Sequence, residues 1–187
     1  MKVSSVLALV AVAAMSAGCT PDYATQNQGD VIMLLVGFTP SDPFQSDVAN
    51  LKSGTVADEI AAEIAVRFKN PTLQPPQIPG AVILERYEVQ YVRSDGRNVE
   101  GVDVPYRFSG NVTAGIDVAS AGTAAIPFEL VRLQAKLEPP LLNLVNGGGA
   151  AVLTCFANVT FYGRTVEGSV VKATGSQQVD FADYADN

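Results

Sequence analysis

Two cysteines and nineteen carboxylates are the side chains of this 187-residue chain best suited by type to chemistry. Cys19 ends the small-residue run Ser16-Ala17-Gly18, which follows Lys2 and an apolar stretch over Val6–Met15. A cationic start, a short apolar run and small residues ahead of a cut are the marks of an export signal. The apolar run falls well short of the roughly 20 residues that span a bilayer. A thiol left at a new N-terminus is a nucleophile that an acyl-bearing group can modify. Cys155 sits in Ala-Val-Leu-Thr-Cys-Phe-Ala-Asn-Val, with no cation or histidine beside it. It reads as a small buried hydrophobe rather than a reactive thiol.

The residues up to Cys19 resemble the signal of bacterial lipoproteins. Ala17, Gly18 and Cys19 carry the resemblance, and Ser16 stands where that signal usually has Leu. The resemblance implies cleavage after Gly18, a diacylglyceryl group on Cys19, and export. Thr20, in place of the Asp that marks inner-membrane retention, implies the outer membrane in a cell that has two. Two or three acyl chains on one cysteine hold stably where a single chain is marginal. The alternative is plain secretion, with Cys19 removed or left as a thiol. The chain therefore divides into a signal peptide over 1–18, a polar tether over 19–29 and a domain over 30–187.

Composition excludes several activities. There is no histidine, so Ser-His-Asp and Cys-His catalysis are closed and most zinc chemistry with them. There is no tryptophan, which weakens a sugar-binding surface built on flat rings, although six tyrosines remain. Without Lys2 the 12 cationic side chains fall to 11 against 19 acids, a net charge of −8. That disfavours nucleic acid and anionic headgroups as partners. Asp180, Asp183 and Asp186 cluster at the C-terminus, but their spacing fits no calcium loop. Glu85 and Glu88 fall on opposite faces of a strand, and Glu59 with Glu63 on one wet face. None of these makes a convincing glycosidase pair. We expect no catalytic residue, no metal and no cofactor.

The elements that carry these residues read as strands. Over 57–69, composition favours helix, but Ile60, Ala62, Ile64, Val66 and Phe68 alternate with Ala61, Glu63, Ala65, Arg67 and Lys69. Alternation of that length predicts a half-buried strand. Further strands are expected over Val31–Phe38, Val82–Arg93, Val102–Phe108, Val112–Val118, Ala124–Leu133, Ala151–Tyr162, Ser169–Thr174 and Gln178–Phe181. Thr39–Thr55 and Gln134–Gly149 read as loops, and Ser94-Asp95-Gly96-Arg97 as a turn. Pro105 lacks an amide donor, so Val102–Phe108 is expected at a sheet edge, open to strand addition. Seven to nine strands at hairpin spacing predict an all-β, antiparallel sandwich of immunoglobulin-like or fibronectin-like form.

Ile83–Arg97 and Thr160-Phe-Tyr-Gly-Arg, with Gln134-Ala-Lys-Leu-Glu-Pro-Pro-Leu, resemble segments of uncharacterised bacterial lipoproteins with immunoglobulin-like domains. That likeness covers residues 57–184 and implies the fold without implying an activity. The best partner surface in the sequence is the apolar loop carrying Leu141, Leu142, Leu144 and Val145. Its rival role is to fold back and plug one end of the sandwich. The sequence therefore points to a non-enzymatic, lipid-anchored envelope protein working through contacts with other envelope proteins. A small-ligand or carbohydrate-binding lipoprotein is the alternative.

Overall fold

The computed structural model describes residues 27–41, 43–50, 54–72, 80–118, 123–147 and 151–184. Cys19, the signal segment, most of the tether and Asp186 lie outside the described residues.

Eight strands run through the described chain: β1 (Val31–Thr39), β2 (Phe44–Asp47), β3 (Asp58–Phe68), β4 (Ala81–Val92), β5 (Phe108–Asp117), β6 (Thr123–Val131), β7 (Leu153–Thr165) and β8 (Val170–Ala182). A single helical turn, α1 (Leu133–Lys136), and a 3-10 turn over Leu141–Leu144 follow β6. The strands form two sheets, β1-β3-β6 and β2-β8-β7-β4-β5. Side chains from both sheets share one apolar core. The molecule is thus all-β and sandwich-like.

The alternation over 57–69 is a strand, not a helix. Ile60, Ala62, Ile64 and Val66 are buried while Glu59 and Arg67 are exposed. β7 and β8 repeat the pattern, with Cys155, Ala157, Val159 and Phe161 inward beside Val171, Ala173, Val179 and Phe181. Three rings lock the two layers together. Phe128 of β6 meets Phe161 of β7 edge-on at 5.2 Å between ring centres, and Tyr87 of β4 meets Phe128 at 5.3 Å. Such edge-to-face pairs add roughly 0.5–1.5 kcal/mol to the burial itself.

Four expectations need correction. β2 pairs with β8 in parallel, so the sheets are not wholly antiparallel. It also lies inside the stretch expected to be a loop. Val102–Phe108 is not a strand. The Val99 carbonyl accepts amides from Val102, Asp103 and Val104, while Asp103 Oδ2 accepts from Val99 N. Local turn bonds there win over a ladder. The alternation was coincidental, Pro105 is buried, and the edge strand is β5. Finally, Ser169–Thr174 and Gln178–Phe181 are parts of one continuous strand, β8. The turn over 94–97 forms as expected, with Gly96 at a φ of 81° that only glycine adopts cheaply.

Strand directions give the sandwich two distinct ends. The near end receives the chain. Gln28 N donates to Val170 O at 2.8 Å, and Lys69 Nζ donates to Asn27 O at 2.7 Å. The β3–β4, β5–β6 and β7–β8 connections also lie at this end. The far end holds the β2–β3, β4–β5 and β6–β7 connections and the close of β8. A thirteen-residue strand such as β8 puts about 40 Å between the two.

Candidate functional site

The far end is where the long connections gather, and one buried ion pair fixes them. Lys136, in α1, is 2 % exposed, and its Nζ donates to Asp58 Oδ1 at 2.9 Å and to the Asp47 carbonyl at 2.7 Å. Ser46 Oγ donates to Asp58 Oδ2 at 2.5 Å. Asp47 Oδ1 accepts from Tyr184 N at 3.2 Å, and Val48 N donates to Ala182 O. A buried charge is tolerable only when paired and hydrogen-bonded, and here every partner is in place.

This clasp sets the path of the apolar loop. Leu141 is fully buried and belongs to the core, so its side chain is not part of the exposed surface. Leu144 and Val145 are half-buried and pack against the core. Leu142, its side chain on the other side of the 3-10 turn, is 46 % exposed, and Leu137 is 52 % exposed. The loop therefore plugs the sandwich with one leucine and presents others outward.

Other connections add to the same end. The β4–β5 loop exposes Val99, Val102 and Tyr106, and Val56 is exposed just ahead of β3. Arg132 joins the two long loops: its guanidinium lies 4.6 Å from the Phe108 ring centre. Its Nε is buried and has no hydrogen-bond partner among the described residues. The far end thus carries an unusual number of exposed apolar side chains, held on a braced base. The sequence offered Val102–Phe108 as an edge strand open to a partner and did not single out Val99, whereas all three exposed residues lie on the β4–β5 loop.

Most of the carboxylates named from the sequence have partners among the described residues, and Asp186 lies outside them. Glu85 pairs with Arg164 at 3.3 Å, and Glu88 accepts from Tyr162 Oη at 3.2 Å. Glu63 accepts from Thr39 Oγ1. Glu59 lies opposite Glu129 across β3 and β6, a like-charge pair that no spacing rule reveals. Asp180 accepts from Thr154 Oγ1, and Asp183 from Asn146 N. The Arg97 backbone amide, which donates to Asp95 Oδ1, holds the Asp95 carboxyl down at about 2, helped by the Arg93 and Arg97 guanidiniums. Among the described residues, no three metal-ligating side chains converge. No helix among them is long and apolar enough to cross a membrane.

Cys155 is fully buried on β7. Desolvation pushes its thiol up to about 12, so it stays protonated and unreactive at neutral pH. Away from the far end, a cleft of about 390 Å³ opens between β1 and β8, lined by Leu35–Phe38, Ser41 and Gly175–Gln177. The sequence did hold one signal for it: Gln177 is the sole polar side chain longer than alanine on the inward row Val171, Ala173, Gly175, Gln177, Val179, Phe181.

No family model, curated protein or solved structure matches this chain.

Proposed function

We propose that this is a lipid-anchored, non-catalytic cell-envelope protein whose immunoglobulin-like sandwich acts through protein contacts at its far end. The strand order supports the immunoglobulin-like reading. β1-β3-β6 corresponds to strands A-B-E and β8-β7-β4-β5 to G-F-C-C′, with β2 beside G. The lipid is carried by Cys19 after removal of residues 1–18, and residues 19–29 tether the domain to the outer membrane.

One observation carries the contact surface: exposed Val56, Val99, Val102, Tyr106, Leu137 and Leu142 lie at the end opposite the one the chain enters. With Cys19 in a bilayer, that end stands about 40 Å beyond the near end of the domain. Apolar side chains held there meet a protein rather than the anchoring leaflet. The net charge of −8 argues against nucleic acid.

The test has two arms. Intact mass of the membrane-extracted protein is compared with that of Cys19→Ser; residues 19–187 plus acyl chains, lost in the variant, is the expected result. An unmodified mass overturns the anchor. A photo-crosslinking residue at Leu142 is then compared in intact cells with one at Val166 of the near end. A discrete adduct from 142 alone is expected, and equal labelling at both ends overturns the far-end surface. A second reading, a small-ligand or carbohydrate binder, has the cleft beside Gln177 in its favour.

A further inference from the structure

The cleft between β1 and β8 lies where β1 leaves one sheet and β2 has not yet joined the other. Leu35 pairs with Ile64 and Gly37 with Glu63, so Val36 bulges out of the β1–β3 ladder and is exposed. β2 joins β8 only from Phe44 opposite Val179. β1 pairs with β3, and among the described residues no strand is laddered to Gly175–Gln177 on the side away from β7. Among the described residues this stretch of β8 has no ladder partner on that side, and it forms the floor of a slot walled by β1. Gly175 makes room for the wall, since a Cβ there would overlap Leu35.

Gln177 is 1 % exposed, yet its Nε2 makes a single 3.5 Å contact, to the Gln178 carbonyl. That distance is at the outer limit of a hydrogen bond. A buried carboxamide so weakly held calls for a better partner. Among the described residues the rest of the lining is Leu35, Val36 and Phe38 with two serine hydroxyls, and none of these is charged. The volume falls within the range of ligand sites.

We infer that this slot binds a short, uncharged segment of extended polypeptide, laid along β8 in the line of β2. Extended backbone carries alternating donors and acceptors at the strand repeat, which is what an open edge at Gly175–Gln177 offers to pair with. The Gln177 carboxamide adds one donor and one acceptor. Leu35 and Phe38 take an apolar side chain, and a charged one finds no counter-charge in the slot. This site is separate from the far end and does not depend on it.

The test is a titration of the ¹⁵N-labelled full chain with N-acetyl-Ala-Val-Ala-amide, read as amide shifts. Saturable shifts confined to Leu35–Phe38 and Gly175–Gln177 are expected, at least about ten-fold weaker for N-acetyl-Ala-Asp-Ala-amide. Gly37→Leu is the blocking variant. Gly37 lines the slot and a Cβ there meets nothing within 4 Å, so a larger side chain is expected to be accommodated at the slot wall. It abolishes the shifts while leaving the rest of the spectrum unchanged. Gln177→Leu weakens binding by about ten-fold, the loss of one or two hydrogen bonds. Absence of saturable shifts in the wild type overturns the proposal, as does unaltered binding in Gly37→Leu. Shifts of the same residues by N-acetylglucosamine but not by the peptide would make the slot a sugar site and overturn it equally.

Discussion

Lys136 Nζ lies 2.9 Å from Asp58 Oδ1, and this pair joins the β6–β7 connection to β3 of one sheet while the same ammonium holds the Asp47 carbonyl of β2 in the other. Three parts of the chain far apart in sequence meet at one charge. Removing the lysine strands Asp58 in a mostly buried position. Lys136→Met is therefore expected to destabilise by about 3 kcal/mol, and Lys136→Met with Asp58→Asn by clearly less. Urea midpoints of the two variants check this, and equal losses would show that packing, not charge, sets the cost.

Leu141 and Leu142 are neighbours with opposite fates, and they separate the plug from the surface. Leu141→Ala is expected to cost about 2–5 kcal/mol through a cavity in the core. Leu142→Asp, at an exposed site, is expected to stay within about 0.5 kcal/mol of wild type while losing the adduct formed by a photo-crosslinking residue placed at the neighbouring exposed Leu137. Chemical denaturation and in-cell crosslinking read the two effects independently.

Tyr91 Oη donates to the Leu130 carbonyl at 2.5 Å, tying β4 to β6 inside the core. Tyr91→Phe removes that buried hydrogen bond and is expected to cost about 1–3 kcal/mol. A urea titration at neutral pH measures it, and a neutral substitution would mean that water replaces the hydroxyl.

Alkaline pH should destabilise the protein for a related reason. Burial raises the Cys155 thiol from about 9 to about 12, and burial raises the Tyr91 and Tyr87 hydroxyls above their ordinary values. Each group is held protonated in the fold, so its contribution is complete below its unfolded value and is lost as pH rises toward its folded one. Stability should fall progressively above about pH 9. Cys155→Ala should flatten that slope even though it lowers stability at pH 7. Unfolding free energies between pH 7 and 11 decide it, and identical slopes would remove Cys155 from the account.

The same burial makes a chemical prediction. Native protein should leave Cys155 unmodified by iodoacetamide at pH 8, with Cys155 reacting once the protein is unfolded in urea. Rapid labelling of the native protein at Cys155 would contradict the buried placement.

Alternation was enough to read β3, β4 and β7, because a half-buried strand must place apolar residues on every second position. It failed over Val102–Phe108, where apolar residues also alternate but the Asp103 side chain and the Val99 carbonyl close a turn. β2 left no signal at all. Phe44-Gln-Ser-Asp47 is a strand only because the edge of β8 offers a ladder beside it. Leu141 and Leu142 are the same residue type, so nothing in the sequence says which one faces the core.

The sequence alone carries the all-β character and the inward rows of β3, β4 and β7, because side-chain period is a local property of extended backbone. It also determined the exclusions that follow from missing histidine and from net charge. Where distant residues meet is settled by packing in three dimensions: Lys136 on Asp58, the exposed leucines at the end opposite the start of β1, and Gln177 beneath the bulge of β1. Those depend on register between strands and on the paths of long loops. Both are fixed by packing across the whole sandwich rather than by any run of neighbouring residues.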